Sequence, residues 1–346
     1  MTDLRANDSE GLLDLANAMP EHIEHAIKAS QGLEGLPDKS RVENVVVLGM
    51  GDSGIAGDAL IATAAPFMPV PVSVVRSYEL PAFVGEGSLV FALSYSGNTE
   101  EIIESATEAA VQGAKVVAVT SGGQLAELAG SWGAPVVRIP KGIPQARAAF
   151  GAFAVPPIAV LEGIGLFPGA RQWIDLALDQ LRKRRDELNK PGNVAEVLAE
   201  RIAGKLAVVS GGGALGAAVA QRWKAQINQN AKSPAFWSAQ PELCHGEVIG
   251  WEGQPGWTKD LAAIVALRHD AEHPQVTRRF DIVHEHIASN VACIEQVHAE
   301  GDGELAQLLD LVMVGDFVSL HLAALNGQDP GPVPFLGTMK AALSAR

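Results

Sequence analysis

Apolar residues along this chain fall into patterns of two kinds. Residues 11–35 carry Leu12, Leu13, Leu15, Ala16, Met19, Ile23 and Ile27 on one broad stripe, which predicts an amphipathic helix. Short β-branched runs follow. Residues 45–48 are wholly apolar, as a parallel strand buried on both faces requires; the run ends in glycine, before a helix from about residue 55. Residues 70–75, 89–94 and 115–120 predict further strands, residues 99–112 and 124–128 the helices between them, and residues 135–139 an edge strand. Residues 150–185 read as mostly helical, with an apolar first half. Their basic end, Arg182, Lys183, Arg184 and Arg185, predicts a solvated terminus that complements the helix dipole. Lys190, Pro191, Gly192 and Asn193 have linker composition. The pattern then restarts with a strand at 206–209, glycines at 211, 212 and 213, and a helix at 215–229. Residues 261–267 and 290–294 read as strands, and 305–325 as a long, mostly apolar helix.

Strands alternating with helices of this length predict an α/β fold of two domains, each a parallel sheet flanked by helices. The expected division is a helical segment at 1–40, a first domain with its following helices at 41–190, a second domain at 191–330 and a tail at 331–346. Two strand–glycine–helix openings about 160 residues apart point to a duplicated unit.

Composition narrows the function classes. Of 346 residues, 47% are hydrophobic and 19% charged, enough to bury two cores. The net charge of −14 argues against a nucleic-acid partner, which a basic face would announce. It leaves room for a small anion, because oriented backbone amides act at short range. Cys244 and Cys293 are too few for a disulfide framework or a thiolate zinc site, so reduced thiols in a cytoplasmic protein are expected. The N-terminus is polar and acidic, and no apolar run of membrane length is read, so neither export nor a membrane partner is expected. His284 and His286 have no third partner at metal-ligand spacing.

Ligands of open parallel sheets bind beyond the carboxyl ends of the strands. Two segments fall there. Gly49-Met50-Gly51-Asp52-Ser53-Gly54 follows the first strand; a plain tight turn explains it equally well. No Gly-Lys-Ser/Thr follows, and the next strand ends in Val75-Arg76-Ser77 without an acid, so neither a P-loop nor a dinucleotide fingerprint fits. Ser94-Tyr95-Ser96-Gly97-Asn98-Thr99-Glu100-Glu101 crowds three hydroxyls where a strand turns into a helix. Free helix amides beside hydroxyl donors suit a phosphate dianion. Capping by Asn98 or Thr99 is the simpler role, and it accounts for one hydroxyl of the three.

The second segment resembles the phosphate loop of sugar-isomerase (SIS) domains. The likeness continues through Arg76-Ser77-Tyr78-Glu79-Leu80-Pro81, Asn230-Ala231-Lys232-Ser233-Pro234-Ala235-Phe236, Pro241-Glu242-Leu243-Cys244-His245 and Gly315-Asp316-Phe317-Val318-Ser319. Together these resemble the bifunctional phosphoglucose/phosphomannose isomerases of archaea and bacteria, over roughly residues 45–340. The resemblance implies two SIS-type domains and interconversion of aldose and ketose 6-phosphates, with a hexose phosphate as the small-molecule partner and neither metal nor cofactor. It implies that Gly51, Ser53, Ser94, Ser96 and Thr99 hold the phosphate, that Arg147 stabilises an enediolate, that His245 opens the sugar ring and that Lys340 contacts sugar oxygens. It also implies a homodimer with sites built from both subunits. The family's base is a glutamate 16 residues before the histidine, and that position is Gln229 here. An amide does not take up this proton at neutral pH. Three outcomes stay open: Glu242 or Glu247 acts as the base, the protein binds sugar phosphates without turnover, or it runs another reaction on a related sugar. Asp52 stands where the family has glycine, beside the expected dianion, and its carboxylate either repels the ligand or points away. Gly246 stands for an asparagine next to the histidine.

Overall fold

The protein is described from a computed structural model covering residues 3–253 and 255–344, with the side chains of residues 255, 340 and 344 outside the description. Helices α1 (Leu12–Asn17) and α2 (Met19–Ala29) precede the first sheet. The stripe at 11–35 predicts one helix, but Pro20 lies in the first turn of α2, and the chain restarts at Ala18. A proline ring has no N–H to continue the hydrogen-bond ladder, so it fits most easily at a helix start.

Strands β1 (Asn44–Gly49), β2 (Val72–Val75), β3 (Ser88–Leu93), β4 (Lys115–Thr120) and β5 (Val136–Arg138) form a parallel sheet in the order β2-β1-β3-β4-β5. Helices α3 (Asp52–Thr63), α4 (Glu100–Val111) and α5 (Gly123–Ser131) connect it, and α6 (Phe150–Gly163) and α7 (Ala170–Leu188) follow. After α8 (Val194–Ile202) a second parallel sheet runs in the order β7-β6-β8-β9. Its elements are β6 (Leu206–Gly212), α9 (Gly213–Asn230), β7 (Ala235–Gln240), α10 (Pro255–Leu261), β8 (Ala262–Arg268), α11 (Pro274–Ile287) and β9 (Cys293–His298), closed by α12 (Glu304–Leu325) and α13 (Pro334–Ser344).

Alternation within β1 explains its apolar run. Val45 and Val47 enter a core shared by both sheets, while Val46 and Leu48 enter the layer under α4 and α5. The shared core continues through α3, α6, α9 and α12 to Val209 and Val265 of the second sheet, so both halves bury their inner faces together. Close approach depends on small residues: a Cβ on Gly57 would stand 2.7 Å from Val74, and one on Gly315 of α12 would stand 2.3 Å from the Trp223 ring of α9.

Four readings of the pattern need correction. Helix α3 begins at Asp52, three residues early, because the turn after β1 is as short as a tight glycine turn allows. Strand β7 escapes the pattern: its burial does not alternate, and Phe236 and Trp237 are both exposed on an edge strand. The basic end of α7 is solvated only in part: Lys183 is exposed and Arg182 and Arg185 are partly so, whereas Arg184 is buried and paired with the fully buried Asp310 of α12. Finally, α12 is long and apolar enough to cross a membrane, yet 89% of its apolar window is buried inside the protein, where it packs on α7, α8 and α9.

Candidate functional site

Strand β1 pairs with β2 on one side and β3 on the other, which makes the gap between β1 and β3 the switch point of the first sheet. Gly49 is in register with Leu93, so the two candidate turns leave neighbouring strands about 5 Å apart. At the first turn Gly51 has φ +52°, and α3 starts at the next residue; Gly51 is exposed and Ser53 buried. At the second turn the Ser94 and Thr99 hydroxyls lie 2.9 Å apart, and Ser96 Oγ accepts from the Asn98 amide at 3.1 Å. Thr99 is the N-cap residue of α4, but its side chain makes no capping bond. Asn98 Oδ1 accepts instead from the Gln124 amide in the first turn of α5. Capping of α4 therefore consumes neither side chain, and the Ser94–Thr99 pair stands beside the positive end of α4.

The second turn is locked from behind. The Ser121 amide and hydroxyl both donate to the Tyr95 carbonyl, at 3.0 and 2.7 Å, and the Leu125 amide donates to the Gly97 carbonyl at 2.9 Å. Gly97 has φ +67°, and a Cβ there would stand 1.9 Å from the Gly122 carbonyl oxygen, so only glycine fits.

Helix α9 of the second half lies over this end of the first sheet. Arg222 Nη1 donates to Asp52 Oδ1 at 2.6 Å, and Gln226 Nε2 donates to the same oxygen at 3.2 Å. Arg147 Nε donates to Asn230 Oδ1 at 2.7 Å. The Asp52 carboxylate is thus paired with α9 of the second half. Arg147 is buried; its Nη1 donates to Gln145, and its Nη2 to the carbonyls of Pro330 and Gly331 at 2.6 and 2.7 Å. Burial pulls this guanidinium below its usual range, against the charges of Asp52 and Glu10. Its guanidinium is buried with Nε, Nη1 and Nη2 all engaged.

Gln229, half-buried near the end of α9, follows Gln226 by three residues and Arg222 by seven, and so shares their side of the helix. His245 does not join them. Strand β7 carries the chain away from this end over about 17 Å, and His245 sits exposed in the turn beyond Gln240. Glu247, two residues on, is exposed overall, yet partial desolvation pushes its carboxyl up, against a hydrogen bond from Ser238. The side chain of Lys340 lies outside the described residues. Sequence reasoning misses Arg222, Gln226 and Asn230. Their signal is a polar i, i+4, i+8 row on a helix that is otherwise apolar toward the core.

Residues 192–343 match the family described as bacterial phospho-glucose isomerase C-terminal SIS domain, and residues 40–131 match the SIS domain family. A bifunctional phosphoglucose/phosphomannose isomerase of Caldicellulosiruptor bescii is 34% identical over 330 residues, spanning 94% of this chain and 97% of that protein. One from Aquifex aeolicus is 34% identical over 311 residues, spanning 88% and 92%. Among solved structures, the C-terminal domain of glucosamine-fructose-6-phosphate aminotransferase from Francisella tularensis superposes with a TM-score of 0.73 at 17% identity, covering 94% of this chain and 98% of that one.

Proposed function

The chain belongs to the bifunctional phosphoglucose/phosphomannose isomerase family, and from that membership we propose that it interconverts fructose 6-phosphate with glucose 6-phosphate or mannose 6-phosphate through a cis-enediolate. The observation that carries this reading is the pair of hydroxyl-bearing turns on adjacent parallel strands, each opening into a helix. Gly51, Ser53, Ser94, Ser96 and Thr99 cradle the phosphate there, with the positive ends of α3 and α4 behind it. Arg147 supplies positive charge beside the sugar.

His245 opens the ring from a second copy of the chain, since its own chain carries it to the far end of the second sheet. A homodimer with shared sites follows. Gln229 holds a sugar hydroxyl and takes no proton. Glu247 travels with His245 into the partner's site, and its raised carboxyl suits a base that moves the C2 proton to C1. The working partner is a small anionic sugar in the cytoplasm; the two unpaired cysteines and the net charge of −14 favour this over an exported or nucleic-acid-binding role.

The test is conversion of fructose 6-phosphate followed by NMR with EDTA present, for the natural chain, Glu247→Gln and Gln229→Glu. We expect turnover by the natural chain, near-complete loss in Glu247→Gln and a gain in Gln229→Glu. Saturable binding without turnover by the natural chain would reduce the protein to a sugar-phosphate binder.

A further inference from the structure

Asp52 sets a carboxylate on the first residue of α3, directly after Gly51. A carboxylate in the first turn of a helix is drawn to the helix's positive end. Here that is the place assigned to the sugar phosphate, so a free Asp52 would compete for its own site.

Asp52 is held elsewhere. Arg222 donates to it at 2.6 Å from the other half of the molecule, and Gln226 adds a bond at 3.2 Å. Arg222 is itself fixed. Its Nη2 donates to both oxygens of Asp316, at 2.8 and 3.0 Å, and to the Arg147 carbonyl at 3.1 Å; its guanidinium lies 4.4 Å over the Phe150 ring. With its side chain 1% exposed, it cannot swing out after Asp52.

We propose that Arg222 is a positioning residue of the isomerase site: it holds the Asp52 carboxylate against α9 and out of the phosphate turn. The inference rests on the phosphate reading of the two turns. Charge supports it, because Arg222 pairs with both Asp52 and Asp316, while the Arg147 guanidinium stands close enough to offset part of the remaining negative charge. Geometry supports it as well, since the same helix carries Gln229 two turns further on.

The test is a double-mutant cycle on the full chain: natural, Arg222→Met, Asp52→Gly and the pair together. The readouts are kcat and KM for fructose 6-phosphate, Kd for inorganic phosphate, and circular dichroism. Arg222→Met is expected to raise KM and Kd about tenfold or more in the natural background, ~1.4 kcal/mol, with kcat moved less. In the Asp52→Gly background the same change should cost less than about threefold, ~0.7 kcal/mol. An equal cost in both backgrounds, with native circular dichroism, overturns the positioning role and leaves Arg222 as a structural residue. If Arg222→Met does not fold, Arg222→Lys decides by the same ratios, since an ammonium still balances Asp316 but cannot fork to both acids. A natural chain that neither binds phosphate nor turns over fructose 6-phosphate overturns the isomerase reading, and this inference with it. A natural chain that does both, with unmoved ratios, overturns only the inference.

Discussion

Gly97→Ala separates what the locked turn contributes from what a left-handed backbone costs anywhere. Gly97 and Gly133 share φ +67°, but a Cβ on Gly133 meets nothing within 4 Å, whereas one on Gly97 meets the Gly122 carbonyl oxygen at 1.9 Å. Alanine at either position bears the left-handed penalty of about 1–2 kcal/mol. At Gly97 two backbone segments must also part. The bonds at stake are Ser121 N to Tyr95 O, Leu125 N to Gly97 O and Gln124 N to Asn98 Oδ1, at 2.9–3.0 Å. Losing one or two of them adds about 1 kcal/mol each. Gly97→Ala should therefore destabilise by about 2–4 kcal/mol and Gly133→Ala by about 1–2 kcal/mol in urea unfolding. Because the displaced segment carries Ser94, Ser96 and Thr99, KM for fructose 6-phosphate should rise about tenfold or more in the first variant and stay within about twofold in the second. Equal destabilisation of the two variants, or an unmoved KM in Gly97→Ala, would show that the turn is not locked as described.

Three further outcomes are expected. Arg184→Met strands the fully buried Asp310, which otherwise accepts from Arg184 at 2.7 and 3.0 Å, from Gln180 and from the Glu300 amide, so urea unfolding should show a loss of about 3–5 kcal/mol; less than about 1 kcal/mol refutes this. Burial pushes the Asp316 carboxyl up to about 6 against the pull of Arg222, so the folded state binds this proton more tightly than the unfolded chain. Stability from this group is present below the usual carboxylate pKa of ~3.9 and is lost as pH rises through about 6. Asp316→Asn should gain stability relative to the natural chain over that window, and a slope of the opposite sign contradicts the assignment. Chains carrying Ser96→Ala together with Thr99→Val, and chains carrying His245→Ala, should each be nearly inactive alone. They should recover activity when mixed under subunit exchange, and absence of recovery argues against sites shared between copies.

What the sequence determined by itself is local and periodic. Runs such as 45–48 and 115–120 specify strands buried on both faces, because unbroken β-branched stretches fit no half-exposed element. The crowding of Ser94, Ser96 and Thr99 at a strand end is legible without coordinates, and so are the motifs that carry the family resemblance, since each lies within a few consecutive residues. Strand β7 escaped because an edge strand need not bury alternate residues. The tertiary structure decided whatever depends on pairing over long chain separations. Arg222 meets Asp52 across 170 positions and pairs with it from the other half of the molecule. Arg147 meets Pro330 across 183 positions and becomes a buried clamp, and Arg184 finds Asp310 across 126. The same structure sets His245 at the far end of β7, away from the turns that its motif accompanies in sequence. The reason is range. Backbone preferences and hydrophobic periods act over a turn or a strand, whereas the partner of a buried charge is settled only when distant helices pack and exclude water, where leaving it unpaired costs several kcal/mol.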